Sequence, residues 1–512
     1  MDQSRVFRPM RPCGRWLVLS LLTLTSACTL GPDFSRPAAP AQEGYIRDPI
    51  SATVAAQGQA QRFLPGAEVA PDWWRLFQSA SLDAVVHQAI ANNMTLRAAE
   101  ASLRQSQDTL MAGYGVFYPH LDVHAGADRE RSAPIQQGLG TKGSIFNVVT
   151  LSGTISYTLD IFGGERRTVE GLQAQVDHQT WLTQAAYLTL TANVVNAAIA
   201  RAAYAAQIQA TEQLIELQKQ QLQTTQVQVR SGTTPYSAIL SLQSLIASNE
   251  ALLPALRQKV SQAEHLLATL EGVVPSEVKL PDIQLSGLSL PKDLPVSLPS
   301  VLVRQRPDIL SAEAQLHQAS AAIGVATAAM FPSFSLTGTY GTAGSSPGSL
   351  FAGAGRFWSV GPSIDIPLFQ GGSLWFGRKA AIDAYQQAAA SYREVVLESF
   401  AQVADTLKAL EFDAQALQKQ AEAQAASAEA LRLLQANYRS GLVTYLDLLA
   451  ADVQLHQVNI AYLQALAQRH QDTVGLFVAL GGAGGTESTP PAAGPAHEAL
   501  RHSAHRFQTP GQ

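Results

Sequence analysis

The tripeptide Arg-Ser-Gly stands at Arg230 and again at Arg439, each time in front of a similar helical pattern. Setting Gly441 on Gly232 gives an offset of 209 (441 − 232), which also places Tyr445 on Tyr236, Leu449 on Leu240 and Gly481 on Gly272. Further back, "FYPHLDV" meets "MFPSFSL" with Pro332 on Pro119 and Glu313 on Glu100, an offset of 213 (332 − 119). Between these anchors "LDIFGGERR" corresponds to "IPLFQGGSL". A correspondence sustained over roughly 200 residues is an internal duplication, and a repeat constrains the fold more than any single motif.

Each copy follows the same order. A helical stretch comes first, Leu82 to about Val116 and Pro307 to about Ala329. Two segments with a period of two follow. Ile155, Tyr157, Leu159 and Ile161 alternate with Ser156, Thr158 and Asp160; Trp358, Val360, Ile364, Ile366 and Leu368 alternate with Ser359, Gly361, Ser363 and Asp365. Apolar-out, polar-in strands of about ten residues suit a transmembrane barrel. A soluble sandwich strand carries the same pattern.

A very long helix is expected next, from Gly164 to Arg230 in the first copy. Ile208, Ile215, Leu222 and Val229 recur every seven residues, as do Val396, Val403, Leu410, Leu417, Leu431 and Tyr438 in the second, with Gln424 the polar member. A seven-residue step specifies interlocking helices, and some 65 residues at 1.5 Å each give a rod of about 100 Å. Glycine ends each rod in a left-handed turn, and a helix of about 36 residues returns from Tyr236 and from Tyr445. The twin turns are thus tips of two antiparallel hairpins. The fold class is α+β, with four strands per chain. Four strands cannot close a barrel, and open edges do not persist in lipid, so a homo-oligomer is expected; three chains would give twelve strands.

The N-terminus reads as an address. Arg5, Arg8, Arg11 and Arg15 precede the apolar run "WLVLSLLTLTSA", a signal peptide in pattern, and "LTSAC" ends in a lipoprotein box with Cys28 as the modified residue. The second cysteine, Cys13, lies in the leader, so the mature chain has no disulfide framework. No later run has the roughly 18 consecutive apolar residues of a transmembrane helix. A net charge of −5 with 15% charged residues argues against nucleic acid as a partner.

Three stretches, "CTLGPDFSRPAAP", "WWRLFQSASLDAVVHQAIANNMTLRAAEASL" and "LPVSLPSVLVRQRPDILSAEAQL", resemble the TolC-like outer-membrane efflux channels. The likeness is to their lipoprotein branch (NodT/OprM-like outer membrane factors), which serves RND-type pumps. In the last stretch Arg304, Arg306, Pro307, Asp308, Ala312 and Glu313 carry the likeness; "GPSIDIPLFQGG" fits the family's final strand. The resemblance runs from Cys28 to about Gly482. It implies a trimer with a twelve-stranded outer-membrane barrel and a periplasmic α-helical barrel. The chain would act as the exit duct for drugs or other small toxic compounds, contributing to multidrug resistance, beside a periplasmic adaptor (a membrane fusion protein) and an inner-membrane RND-type pump. Outer-membrane lipids would surround it. It also implies a belt around the middle, to which Pro275–Pro307 and the C-terminal residues would contribute. A lipid-anchored coiled-coil spacer is the competing class.

The expected segments are a signal peptide (1–27), a lipidated segment (28–80), repeat 1 (81–272), a Pro-rich connector (273–306), repeat 2 (307–482) and a disordered tail (483–512). Carboxylates and a leucine line the closed constriction in relatives, and the matches here are Leu446 and Asp447, with Ala450 where some members have a further Asp. Arg230, Gly232, Thr233, Thr234, Tyr236, Arg439, Gly441 and Tyr445 form the tips that an adaptor would touch. His497, His502 and His505 fall in the tail, no metal or nucleophile motif is present, and the glycine pairs Gly163-Gly164 and Gly371-Gly372 are strand-to-helix turns. Neither enzymatic activity nor a cofactor beyond the lipid on Cys28 is expected.

Overall fold

The computed structural model describes residues 29–42, 44–48, 50–55, 60–131, 143–353 and 355–482. Cys28, the leader and the tail from residue 483 lie outside them. The helices are α1 (Ala80–Asn92), α2 (Met94–Gly113), α3 (Gly164–Arg230), α4 (Ser237–Glu250), α5 (Leu252–Leu270), α6 (Pro299–Leu302), α7 (Pro307–Ala328), α8 (Ser373–Arg439) and α9 (Tyr445–Ala479). The strands are β1 (Arg62–Pro65), β2 (His120–Arg131), β3 (Ile145–Leu159), β4 (Asp293–Val296), β5 (Ser333–Gly344) and β6 (Arg356–Asp365). The chain divides into two compact units, each drawing on both repeats.

One unit, residues 1–37, 101–180 and 311–393, holds a four-stranded antiparallel sheet in the order β2-β3-β5-β6. Its register aligns Leu121, Ile155, Gly338 and Val360 in one cross-strand row, and Val123, Gly153, Tyr340 and Trp358 in the next. The alternate rows hold Asp122, Thr154, Thr339 and Ser359. Residues directly opposite share a face, so one face is apolar and the other polar. The apolar face is uncovered, with Val123, Trp358 and Val360 each at least 70% exposed. On the polar face Thr154 bonds Thr339 at 3.2 Å and Ser335 bonds Ser363 at 2.6 Å. β2 and β6 are edges without a partner strand among the described residues.

The exit from β3 is fixed by Asp160, which accepts hydrogen bonds from the backbone of Glu165 and Arg166 and from the Arg166 side chain. A carboxylate there satisfies orphan amides and complements the helix dipole. Gly163 and Gly372 both have positive φ just before a long helix, 209 apart (372 − 163). The second turn is therefore two residues longer than the pairing of Phe162 with Phe369 implies. Arg167 is buried and binds Asp33 and Glu170, and its side chain fills the space that a Cβ at Gly324 would occupy.

The other unit, residues 38–100, 181–310 and 394–512, contains the main apolar core. Trp73, Trp74, Phe77, Leu82, Val86, Ile199, Leu267, Leu294, Leu302 and Phe477 are fully buried there. Arg306 of the "RPD" stretch clamps this core. It donates to the Ala479 carbonyl at 2.6 Å and to Gln402 at 2.9 Å, and pairs with Asp308 at 2.6 Å, so the end of α9 is tied to α8 and to the start of α7.

Three expectations need correction. β1 and β4 form an additional parallel pair, so the described residues hold six strands rather than four, four of them in the large sheet. The first helix of repeat 1 is broken at Asn93, whose extended backbone is held by its side chain accepting from Leu96 N and donating to Leu270 O, both at 2.9 Å. The return from Tyr236 is two helices that meet at Ala251. Pro254 is the cause: it offers no N–H to the Glu250 carbonyl, and its ring crowds that oxygen. Taken together, Ser237–Leu270 is also long and apolar enough to cross a bilayer, which a search for uninterrupted apolar runs does not find. Of the remaining long elements, α3 and α9 match their expected spans to within a residue or two, and α8 ends at the expected turn.

Candidate gate at the hairpin tips

The two Arg-Ser-Gly turns have the same backbone geometry. Gly232 has φ 74° and Gly441 φ 72°. In the first, Thr233 N donates to Gln228 O at 3.0 Å and Gly232 N to Val229 O at 3.0 Å; in the second, Leu442 N donates to Asn437 O at 2.9 Å and Gly441 N to Tyr438 O at 3.0 Å. This pair of bonds is the Schellman termination, which needs a left-handed residue. The repeated tripeptide is therefore a repeated helix stop.

Beyond the glycine the tips differ. In the first, Ser231 and Thr233 hydroxyls both donate to Gln228 O at 2.9 Å, and α4 begins after Pro235 and Tyr236 without a side-chain cap. In the second, Thr444 and Asp447 form a reciprocal capping box: Asp447 accepts from Thr444 N at 2.9 Å and from its hydroxyl at 2.6 Å, while Thr444 Oγ1 accepts from Asp447 N at 3.4 Å. These bonds hold the Asp447 carboxyl below its usual range, so it is an anion at neutral pH. The Thr-x-x-Asp spacing is the signature of this cap in the sequence.

The structure brings the two tips together. Tyr438 Oη donates to Gln228 Oε1 at 3.0 Å, and the Tyr438 and Tyr445 rings lie 6.1 Å apart. Tyr445 and Leu449 pack on Ile215, Leu242 and Ile246 of the first hairpin. Tyr445 Oη is buried there without a hydrogen-bond partner, and burial pushes its pKa up. Leu446 is 71% exposed and Leu442 75% exposed, while Arg230, Tyr236 and Asp447 are also exposed and Thr234 is half-buried. Arg439 ends α8. Polar pairs set each hairpin's register: Asn249 with Gln218, and Gln424 with Asn459, both at 3.0 Å. Sequence reasoning misses Gln228, Thr444 and the stripe below Tyr445, where Asp452 and His456 are withdrawn from solvent. No cluster of His, Cys, Asp and Glu able to hold a metal occurs among the described residues.

The profile of the family described as outer membrane efflux protein matches residues 85–273 and 298–482. The chain belongs to that family. The pyoverdine export outer membrane protein OpmQ of Pseudomonas aeruginosa is 29% identical over 475 residues, covering 90% of this chain and 96% of its own. The cation efflux system protein CusC of Escherichia coli K12 is 28% identical over 479 residues, covering 92% and 100%. The solved outer-membrane channel OprN superposes with a TM-score of 0.80 at 27% identity, over 89% of this chain and 99% of that one. The resemblance drawn from the sequence is thereby borne out: this is an outer-membrane efflux channel with a periplasmic helical extension.

Proposed function

We propose that three copies of this chain close into one twelve-stranded barrel and one helical tunnel, forming the exit duct of a tripartite efflux system. The observation that carries this reading is the four-stranded sheet, which has an uncovered apolar face, a hydroxyl-rich opposite face and two open edges. Lipid on one side and water on the other satisfy the faces, and neighbouring chains satisfy the edges. Leu217, Val227, Leu240, Leu252 and Leu266 of the first hairpin are also uncovered in a single chain, as expected where another hairpin packs. A coiled-coil spacer without a channel has no use for an apolar sheet face.

A periplasmic adaptor and an inner-membrane pump of the RND class engage the tip residues, and drugs or other small toxic compounds pass through; the relatives' names speak of pyoverdine export and cation efflux. The chain acts as a passage and not a catalyst, its covalent addition being the lipid on Cys28. In the trimer the second tips bring Leu446 and Asp447 around one axis. Leucine excludes water, and a ring of carboxylates attracts cations in a narrow neck. The Tyr438–Gln228 bond and the Tyr445 packing hold this arrangement shut, and an adaptor that grips the tips opens it. Native mass spectrometry of the detergent-purified protein tests the assembly. Three chains per particle are expected, and a stable monomer or dimer refutes the closure.

A further inference from the structure

Tyr445, Leu449, Asp452 and His456 recur at helical spacing along α9 and form one stripe. Its first two members pack against the first hairpin. The cross-helix contacts Tyr438–Tyr445 and Gln424–Asn459 share one antiparallel register, which sets the buried Leu431 of α8 at the level of Asp452. Asp452 therefore continues an apolar seam with a carboxyl group, and His456, 8% exposed, continues it with an imidazole. The equivalent positions of the first copy, at the offset of 209, are Gln243 and Ala247, which do not titrate. The seam of one hairpin alone is ionisable.

We infer that Asp452 makes the closed packing of α9 at the tips proton-dependent: packed when the carboxyl is neutral, loosened when it is ionised. This rests on the reading of the tips as the gate. Four cations of the hairpins are committed to carboxylates: Lys219 to Glu250 at 2.7 Å, Arg257 to Glu212 at 2.8 Å, Lys419 to Glu422 at 2.8 Å and Arg432 to Glu429 at 2.6 Å. Tyr445, which Asp452 and Tyr438 both face, and His456 one turn further on are the titratable groups of the stripe. None of them supplies a cation while the imidazole is neutral. Burial alone pushes the Asp452 carboxyl up to about 6.

The sign follows from where the proton is held. The seam binds it more tightly than an opened, hydrated tip does, so this contribution to closure is complete below the ordinary 3.8 and is lost as pH rises through about 6. His456 acts in the opposite sense: burial disfavours its imidazolium, so falling pH weakens the seam once the imidazole charges. Between pH 5 and pH 7.5 the Asp452 contribution alone changes the closed-to-open ratio about tenfold per chain.

The test uses the full-length protein in planar bilayers and in infrared difference spectra. In the His456→Gln channel, where Asp452 is left as the titrating carboxyl of the seam, open probability should rise at least about tenfold from pH 5 to pH 7.5, the per-chain factor multiplying where three tips open together. Adding Asp452→Asn should reduce the change below about twofold. Wild type should rise less, because His456 opposes the change at the acid end. A protonated-carboxyl band present at pH 5, lost by pH 7.5 and missing from Asp452→Asn is expected independently of conduction. A pH-indifferent His456→Gln channel, a slope left unchanged when Asp452→Asn is added to it, or absence of that band overturns the inference. A His456→Gln channel that conducts but ignores pH sinks this inference alone, whereas no conductance at all sinks the duct reading as well.

Discussion

Charge placed on the apolar face of the sheet should be costly in proportion to its depth. β5 has 12 residues, Ser333–Gly344. At about 3.4 Å per residue and a tilt of about 40° it rises roughly 30 Å, enough for an apolar band of about 25 Å. The row Leu121–Ile155–Gly338–Val360 lies midway along it, whereas Ile364 stands opposite Phe334 near the end of the sheet. Val360→Arg and Ile155→Arg should therefore each cost about 2–4 kcal/mol per chain, but Ile364→Arg only about 0–1 kcal/mol, because the arginine there reaches the headgroups. Tyr157→Arg should fall between. Ser359→Arg, Ser156→Arg and Ser363→Arg, on the polar face, should assemble nearly as well as wild type. The assay is the yield of heat-resistant trimers on unheated gels after folding into lipid vesicles. Equal yields from the Val360 and Ser359 variants, or no difference between Val360 and Ile364, would refute the assignment of faces and depth.

Replacing Cys28 by Ser should abolish labelling by a fatty-acid analogue, and persistent labelling overturns the lipoprotein assignment; the barrel should still insert. Leu446→Ala should raise resting conductance, while Asp447→Ala should weaken cation selectivity read as a reversal potential under a salt gradient; unchanged values for both would place the constriction elsewhere. Arg306→Ala removes the charged donor to Ala479 O and Gln402 and leaves the buried Ala479 carbonyl without it, so thermal unfolding of the purified protein should report a loss of about 1–3 kcal/mol per chain; a loss below about 0.5 kcal/mol would show that the clamp is idle.

The duplicated plan was legible because its signals are local. A helix stop needs glycine, a seam needs a seven-residue step, and a two-faced strand needs alternation. Hence α3, α8 and α9 were readable almost to their ends, and the residues of the second seam, Val403, Leu410, Leu417 and Leu431, are buried as the heptad requires. What escaped depends on distant partners. Nothing near Asn93 announces a break that is fixed by the carbonyl of Leu270, and four-residue strands at Arg62 and Asp293 cannot show that they pair. Pro254 and the Thr444-x-x-Asp447 spacing, by contrast, were there to be read. At the site, Leu446 and Asp447 lie exposed at the tip, but the capping box gives Asp447 a structural task that a gate reading alone omits. Gln228, Asp452 and His456 carry no motif. Only the packing of the hairpins gives them meaning.

The central claim is that these strands and hairpins enclose a single water-filled passage. Purified protein added to a planar lipid bilayer under a fixed voltage tests it directly. The account predicts discrete, uniform conductance steps, small at rest and larger for Leu446→Ala. Protein shown by heat-resistant migration to be folded, yet giving no steps or only graded leak in both forms, would contradict it.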